Sequence, residues 1–316
     1  MAAQTEPKSI ADLPAQHAGK PETQAEARAR FFNSGNAFNI KLPPVPNAVF
    51  ADEPMRALEP STSTGFIACD ASSEMECPFP ATSPLLLARY ARIRAGESLS
   101  DEARASGIIH YVIEGAGTTS AAGEEVAWQA GDVFVVPGGG PIAHSAADAA
   151  AVLWIVSNEP QIRFESLQSP AQGEAPTGVV HYRADEIDRQ IELLYRIGQD
   201  EETAGTALVF SSDKQQDSRN VLPSLTLAMN SLPAGGMQRP HRHNSVAVSL
   251  VIQGKRCYSK IDGERKDWAP WATTITPPVS VHSHHNDGDE LAMFLIVQDG
   301  GLYYHTRAMG FEFVDD

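Results

Sequence analysis

Residues 239–254 read "RPHRHNSVAVSLVIQG", with His241 and His243 one residue apart at the mouth of an apolar run. On a strand, residues i and i+2 share a face, so the two imidazoles stand side by side. Further on, "TPPVSVHSHHNDG" ends a short strand at His282 after a Pro-Pro turn. If these strands pair antiparallel in a barrel, His282 faces the first two. Three converging imidazoles make a site for a mid-series divalent ion with open positions, and imidazole suits iron, zinc, copper or nickel. Neutral ligands leave the ion its full charge, useful for holding an anionic substrate and O2 together. A surface histidine pair is commonly without function; three in one register favour the metal. His284 and His285 fit either a solvated loop or a substrate role. His305, in "LYYHTR", reads as packed in or beside a strand.

The elements that must position these side chains form a pattern used twice. From residue 85 to 160, short apolar runs such as "GIIHYVIEG", "DVFVVPGG" and "AAVLWIVSN" alternate with Gly, Asp and Pro, the signature of strands and turns. The pattern resumes after residue 205 with "SLTLAMNSLP", "SVAVSLVIQG", "ELAMFLIVQ" and "GLYYHTR". "IIHYVIEGAG" matches "VAVSLVIQGK", and "GEEVAWQAGDVFVVPGGGPIAH" matches "GERKDWAPWATTITPPVSVH". Each half runs strand, glycine, charged hairpin, Trp, strand, proline, His, which is one supersecondary plan repeated. An all-β chain of two jelly-roll barrels is expected. The expected divisions are an N-terminal extension or arm over 1–84, a first barrel over 85–160, a connector over 161–205 and a second barrel over 206–316. In the connector, Ile187, Ile191, Leu194 and Ile197 have the three-to-four spacing of an amphipathic helix.

Composition narrows the function classes. The formal charge of −16 over 316 residues argues against nucleic acid or an anionic membrane surface as partner. No run approaches the ~18 apolar residues of a membrane span. The opening "MAAQTEPKSIADLPAQ" lacks the basic-then-apolar pattern of a signal peptide. Three cysteines, an odd count without CxxC spacing, fit a reducing compartment, so a cytoplasmic protein is expected.

The motifs "PHRHNS", "LVIQG", "IDGER" and "TITPPVSVHSH" resemble the metal-bearing cupin of the gentisate 1,2-dioxygenase and salicylate dioxygenase family, and the two-fold repeat resembles the bicupin proteins. The likeness covers about a hundred residues of the second half well and the first half loosely. It implies Fe(II) on His241, His243 and His282, with substrate and O2 both on the iron. It gives His284 the place of a histidine associated with the substrate, as a hydrogen-bonding or proton-transfer group. The general cupin Glu after the histidine pair is absent, Ala247 and Val248 standing there, as in that family's three-histidine sites.

Several positions depart from the family. Ser249 stands where an Arg would grip a substrate carboxylate, Val279 and Val281 where larger groups stand, and Ile296 where an Asp does, with Asp299 close by. Arg219 or Arg239 could bring a guanidinium from elsewhere. The first half has no His-x-His: "DEARASG" precedes its strand, only His110 and His144 remain, and that barrel is expected to be metal-free. The expected function is Fe(II)-dependent, extradiol-type ring cleavage of a hydroxylated aromatic compound: a substituted salicylate, a gentisate-like acid or a diphenol. A homo-oligomer is expected. The competing classes are a metal-dependent cupin isomerase or decarboxylase that consumes no O2, and a non-enzymatic bicupin binding a small ligand.

Overall fold

The computed structural model describes residues 7–38, 40–198 and 205–314. Residues 1–43 and 44–316 form separate compact units. In the first, Gln16–His17 pairs antiparallel with Arg30–Phe31 around the short helix Gln24–Ala27, whose N-cap Thr23 hydroxyl accepts from the Glu26 N–H.

The second unit contains two barrels, each built from a large and a small antiparallel sheet. In the first, the six-stranded sheet runs Val180–Tyr182, Val133–Pro137, Gly107–Glu114, Ala151–Ser157, Leu87–Ile93, Gly65–Ala68. Its four-stranded partner runs Ser98–Asp101, Ile142–Ala146, Ala116–Ala121, Glu124–Gln129. The second barrel repeats the plan. Its large sheet runs Thr206–Phe210, Thr226–Leu232, Ala292–Gln298, Ala247–Gln253, Thr273–Thr276, Val49–Phe50, and its small sheet Glu264–Asp267, Cys257–Ile261, His282–Asn286, His241–His243, Phe311–Phe313. The charged hairpins read from the sequence close with two-residue loops, Ala122-Gly123 and Asp262-Gly263, all four residues at positive φ. That is the turn whose twist matches paired strands, and glycine takes the second position at least strain.

Alternation along the strands sorts side chains into two interiors. On Gly107–Glu114, Ile109, Tyr111 and Ile113 join an apolar cluster that also contains Val248, Leu250 and Ile275 of the second barrel. Tyr90 and Trp154 tie that cluster across the repeat, both bonding Thr273 Oγ1, at 2.8 and 2.9 Å. Each large side chain buried there contributes roughly 1.5–3 kcal/mol. The opposite face, with Ile108 and Val112, fills the first barrel together with Phe134, Leu153 and Ile155. The equivalent face of the second barrel has Ala247 and Ser249, and they line a cavity instead. The apolar filling that remains there is Leu232, Cys257, Ala292 and Phe294.

Four segments differ from expectation. Val49–Phe50 and Gly65–Ala68, read as extension, complete the large sheets of the second and first barrel respectively. Val180–Tyr182, read as connector, closes the first barrel's sheet against Val133–Val135. These pieces are too short to carry their own periodicity, and their conformation comes from the strand edge they cover. "GLYYHTR", read as a strand, is the helix Gly300–Thr306, which leaves His305 exposed. Gly301 permits the turn into it, since a Cβ there would stand 2.3 Å from the Pro223 carbonyl oxygen. The connector helix is Ala184–Ile197; of its spaced apolar residues Ile187 and Ile191 are buried, while Leu194 is half-buried and Ile197 exposed at the helix end.

Candidate metal centre

His241 and His282 are direct cross-strand partners, and His243 shares the inward face of the His241 strand. The three rings crowd together, with centroids 4.2 Å apart for His241–His282, 4.7 Å for His243–His282 and 5.9 Å for His241–His243. One ring nitrogen from each lies within 4.8 Å of the others, and all three residues are buried.

The turn before His282 locks this register. Val279 sits in the left-handed region (φ 59°), costly for a β-branched residue at roughly 1–2 kcal/mol. Its N–H bonds the His243 carbonyl at 2.7 Å, while the Val281 N–H bonds Asp262 Oδ1 at 2.9 Å. The third histidine's strand is thus tied to the pair and to the hairpin.

The local backbone also sets which nitrogen each ring presents. His241 Nδ1 bonds the Arg239 carbonyl (2.8 Å), His243 Nδ1 the Ser245 carbonyl (2.9 Å) and His282 Nδ1 the Ser280 carbonyl (2.9 Å). A carbonyl only accepts, so each Nδ1 carries the proton and each Nε2 keeps its lone pair. Burial holds the rings neutral: it lowers His241, brings His243 to about 4 and His282 to about 2. Three neutral Nε2 donors of fixed tautomer are what a divalent ion of the iron-to-zinc series requires.

His284 lies on the same strand and lines the cavity beside them. Trp268 Nε1–H donates to Ser259 Oγ (2.9 Å), and Ser259 Oγ lies 2.8 Å from His284 Nδ1. The hydroxyl has one proton and His284 Nδ1 is the acceptor placed for it. His284 then carries its proton on Nε2, the ring nitrogen left for the cavity. Burial is the chief cause that lowers this ring to about 3. The first barrel repeats the relay: Trp128 Nε1–H donates to Thr119 Oγ1, which lies 2.8 Å from His144 Nδ1. Sequence reasoning missed Ser259 and Trp268 as orienting groups, although the Trp common to both halves of the repeat was a signal for one of them.

The cavity has a volume of about 620 Å³ and includes all four histidines. Ser249 lines it, flanked across the sheet by Thr274 and Ile296. Arg219 also lines it, from an exposed position next to the exposed Asp217. The rest of the wall is neutral, with Asn230, Gln238, Ser245, Thr276 and Gln298 among its polar members. The other two substrate candidates lie elsewhere. Arg239 places its guanidinium 4.4 Å from the Phe313 ring centroid, outside the cavity wall. Asp299 is buried and accepts from the Val246 N–H at 2.8 Å, because helix Gly300–Thr306 begins directly after it; burial raises its carboxyl to about 6.

At the positions equivalent to the triad, the first barrel has Asp101 opposite Ile142, with Ala103 two residues on. Asp101 is taken by Arg89 (2.7 Å), and His110 is stacked on Phe134 at 4.3 Å in the packed interior.

A cupin domain family model matches residues 229–298, the segment that holds the triad. The chain is 32% identical over 85 residues to gentisate 1,2-dioxygenase of Ralstonia sp, covering 27% of this chain and 24% of that one. It is 37% identical over 82 residues to 5-aminosalicylate 1,2-dioxygenase of Comamonas sp, covering 26% and 22%. The matched segment thus spans about a quarter of those relatives' length. Over the whole fold, salicylate 1,2-dioxygenase of Pseudaminobacter salicylatoxidans superimposes with a TM-score of 0.71 at 16% identity, covering 90% of this chain and 92% of that one. The fold is a bicupin.

Proposed function

We propose that the protein is an Fe(II)-dependent dioxygenase that opens the ring of a hydroxylated aromatic compound. The single observation that carries this is the buried His241–His243–His282 triad, with every Nδ1 committed to a carbonyl and every Nε2 carrying its lone pair, lining a cavity of about 620 Å³. The local identity to gentisate and 5-aminosalicylate dioxygenases supports the choice of ring cleavage over other cupin chemistries.

A divalent iron bound to the three histidines would supply open positions at which a phenolic substrate and O2 are brought together. The chain's own contribution is placement and charge control. Backbone carbonyls fix the three rings before anything binds. Around the histidines the wall is buried and neutral, so interactions there are stronger than at the exposed rim. His284, oriented by the Trp268–Ser259 relay, offers an Nε2–H to an oxygen of the substrate or to developing negative charge. Ser249 and the amides Asn230 and Gln238 give the remainder of the substrate neutral hydrogen-bonding partners; Arg219 offers a cation at the rim. In the first barrel, salt-bridged Asp101 and packed Ile142 stand at the triad positions, in keeping with a barrel used for packing.

Among the described residues no helix is long and apolar enough to cross a membrane. The free thiols Cys69, Cys77 and Cys257 suit the cytoplasm, and a homo-oligomer belongs to the same family-based reading. An oxygen electrode tests the proposal: the Fe(II)-loaded protein should consume O2 with at least one member of a panel of salicylates, gentisates and diphenols. Turnover of such a compound without O2 uptake would assign an isomerase or decarboxylase instead.

A further inference from the structure

Gln298 ends the strand Ala292–Gln298 on the cavity wall, with Thr226 on one side and Ala247 on the other as direct cross-strand partners. Direct partners share a sheet face with Cβ atoms ~5 Å apart. The alanine leaves the space beside it open, and the Gln298 side chain reaches across to the histidines. Its amide nitrogen lies 3.1 Å from His243 Nε2. Because His243 Nδ1 donates to the Ser245 carbonyl, Nε2 is the acceptor and the glutamine must present its NH2 there. The carboxamide therefore caps the lone pair that the metal reading assigns to the ion.

We propose that Gln298 is a fourth protein ligand of this centre, turning its amide over so that Oε1 faces the ion bound at His243. The proposal rests on the triad being a metal site. Its geometry is favourable: two ligands each ~2.1 Å from one ion and at a right angle to each other are about 3.0 Å apart, and the amide stands 3.1 Å from Nε2. A half-turn of the terminal amide exchanges nitrogen for oxygen, and a small swing of the side chain off the Nε2 lone-pair axis makes room for the ion. A carboxamide oxygen is a neutral, weak donor, so this ligand keeps the site's charge at that of the ion. It also yields its position to a substrate oxygen more readily than a carboxylate would. In the metal-free protein the same amide satisfies His243, and metal exchange at a buried site then leaves no orphaned lone pair.

The test uses Mn2+ as probe in the full-length protein, comparing wild type with Gln298→Ala, Gln298→Glu and His282→Ala. Two quantities are read: affinity by chelator competition, and the number of exchangeable inner-sphere waters by water-proton relaxation. Gln298→Ala should bind Mn2+ on the order of tenfold more weakly and hold one additional water. Gln298→Glu should bind more tightly than wild type with the wild-type water count, which keeps the test decisive if the alanine variant folds poorly. Wild-type affinity within twofold and an unchanged water count in both variants would overturn the proposal while leaving the triad intact. Mn2+ binding unaffected by His282→Ala would overturn the triad reading itself, and this proposal with it.

Discussion

Replacing Ser249 by Arg should change both the substrate preference and the ligand dependence of stability. Ser249 is 5% exposed and faces a cavity whose inner wall, among the described residues, carries no formal charge apart from what a metal brings. Its cross-strand neighbours Thr274 and Ile296 cannot pair with a guanidinium, and the charged residues Asp217 and Arg219 stand at the exposed rim. In the wild type, a substrate carboxylate directed at residue 249 finds only a hydroxyl. A buried, hydrogen-bonded charge pair that loses one partner costs ~2–5 kcal/mol. At about 1.4 kcal/mol per tenfold, that is a ceiling of roughly thirty- to several-thousand-fold in kcat/KM. We therefore expect gentisate to be a poor substrate of the wild type, with a diphenol or a differently substituted salicylate better. In Ser249→Arg, kcat/KM for the carboxylated substrate should rise at least tenfold and that for the diphenol should fall. Without ligand the introduced cation is unpaired and should lower Tm; a carboxylated ligand should restore it. Steady-state O2 uptake and thermal denaturation across the panel decide the matter. Gentisate turning over fastest in the wild type, with no gain in Ser249→Arg, would refute the reasoning.

Metal analysis should give about one divalent ion per chain; His241→Ala, His243→Ala and His282→Ala should each lose it while circular dichroism stays native, because these rings lie outside the apolar clusters. Metal affinity should be nearly flat from pH 8 to 6: burial places His243 at about 4 and His282 at about 2, so protons begin to compete only well below neutrality, and a steep loss between pH 7 and 6 would contradict those neutral rings. His110→Ala and His144→Ala should retain metal and most activity while lowering Tm, since both rings are fully buried in the first barrel; loss of metal in either would move the centre.

What was legible in the sequence was what repeats or alternates. The two-fold plan gave two barrels, and His-x-His with a third histidine after the Pro-Pro turn gave the triad, because strand register converts spacing directly into facing. The repeat's terminal histidines are offset by two, Ile142 being the counterpart of His282 and His144 that of His284. The amphipathic spacing of Ile187 and Ile191 likewise survived in the helix Ala184–Ile197. What escaped depends on partners distant in the chain. Val49–Phe50 has no signal of its own and is a strand because Thr273–Thr274 offers an edge. The helix at Gly300 depends on a close approach to Pro223 that no local pattern encodes. Arg239 and Asp299 were plausible substrate groups by proximity in sequence. The structure directs one to an aromatic ring and the other to a backbone amide. Gln298 reaches His243 from the other sheet of the barrel, a juxtaposition invisible in linear order.

The most direct test of the central claim is the fate of oxygen. With 18O2 and the substrate selected from the panel, the Fe(II)-loaded protein should consume one O2 per ring opened and place both labelled atoms in the product, and His282→Ala should do neither. Ring opening or isomerisation that proceeds without label, or a His282→Ala variant that retains labelled turnover, would contradict a three-histidine dioxygenase centre.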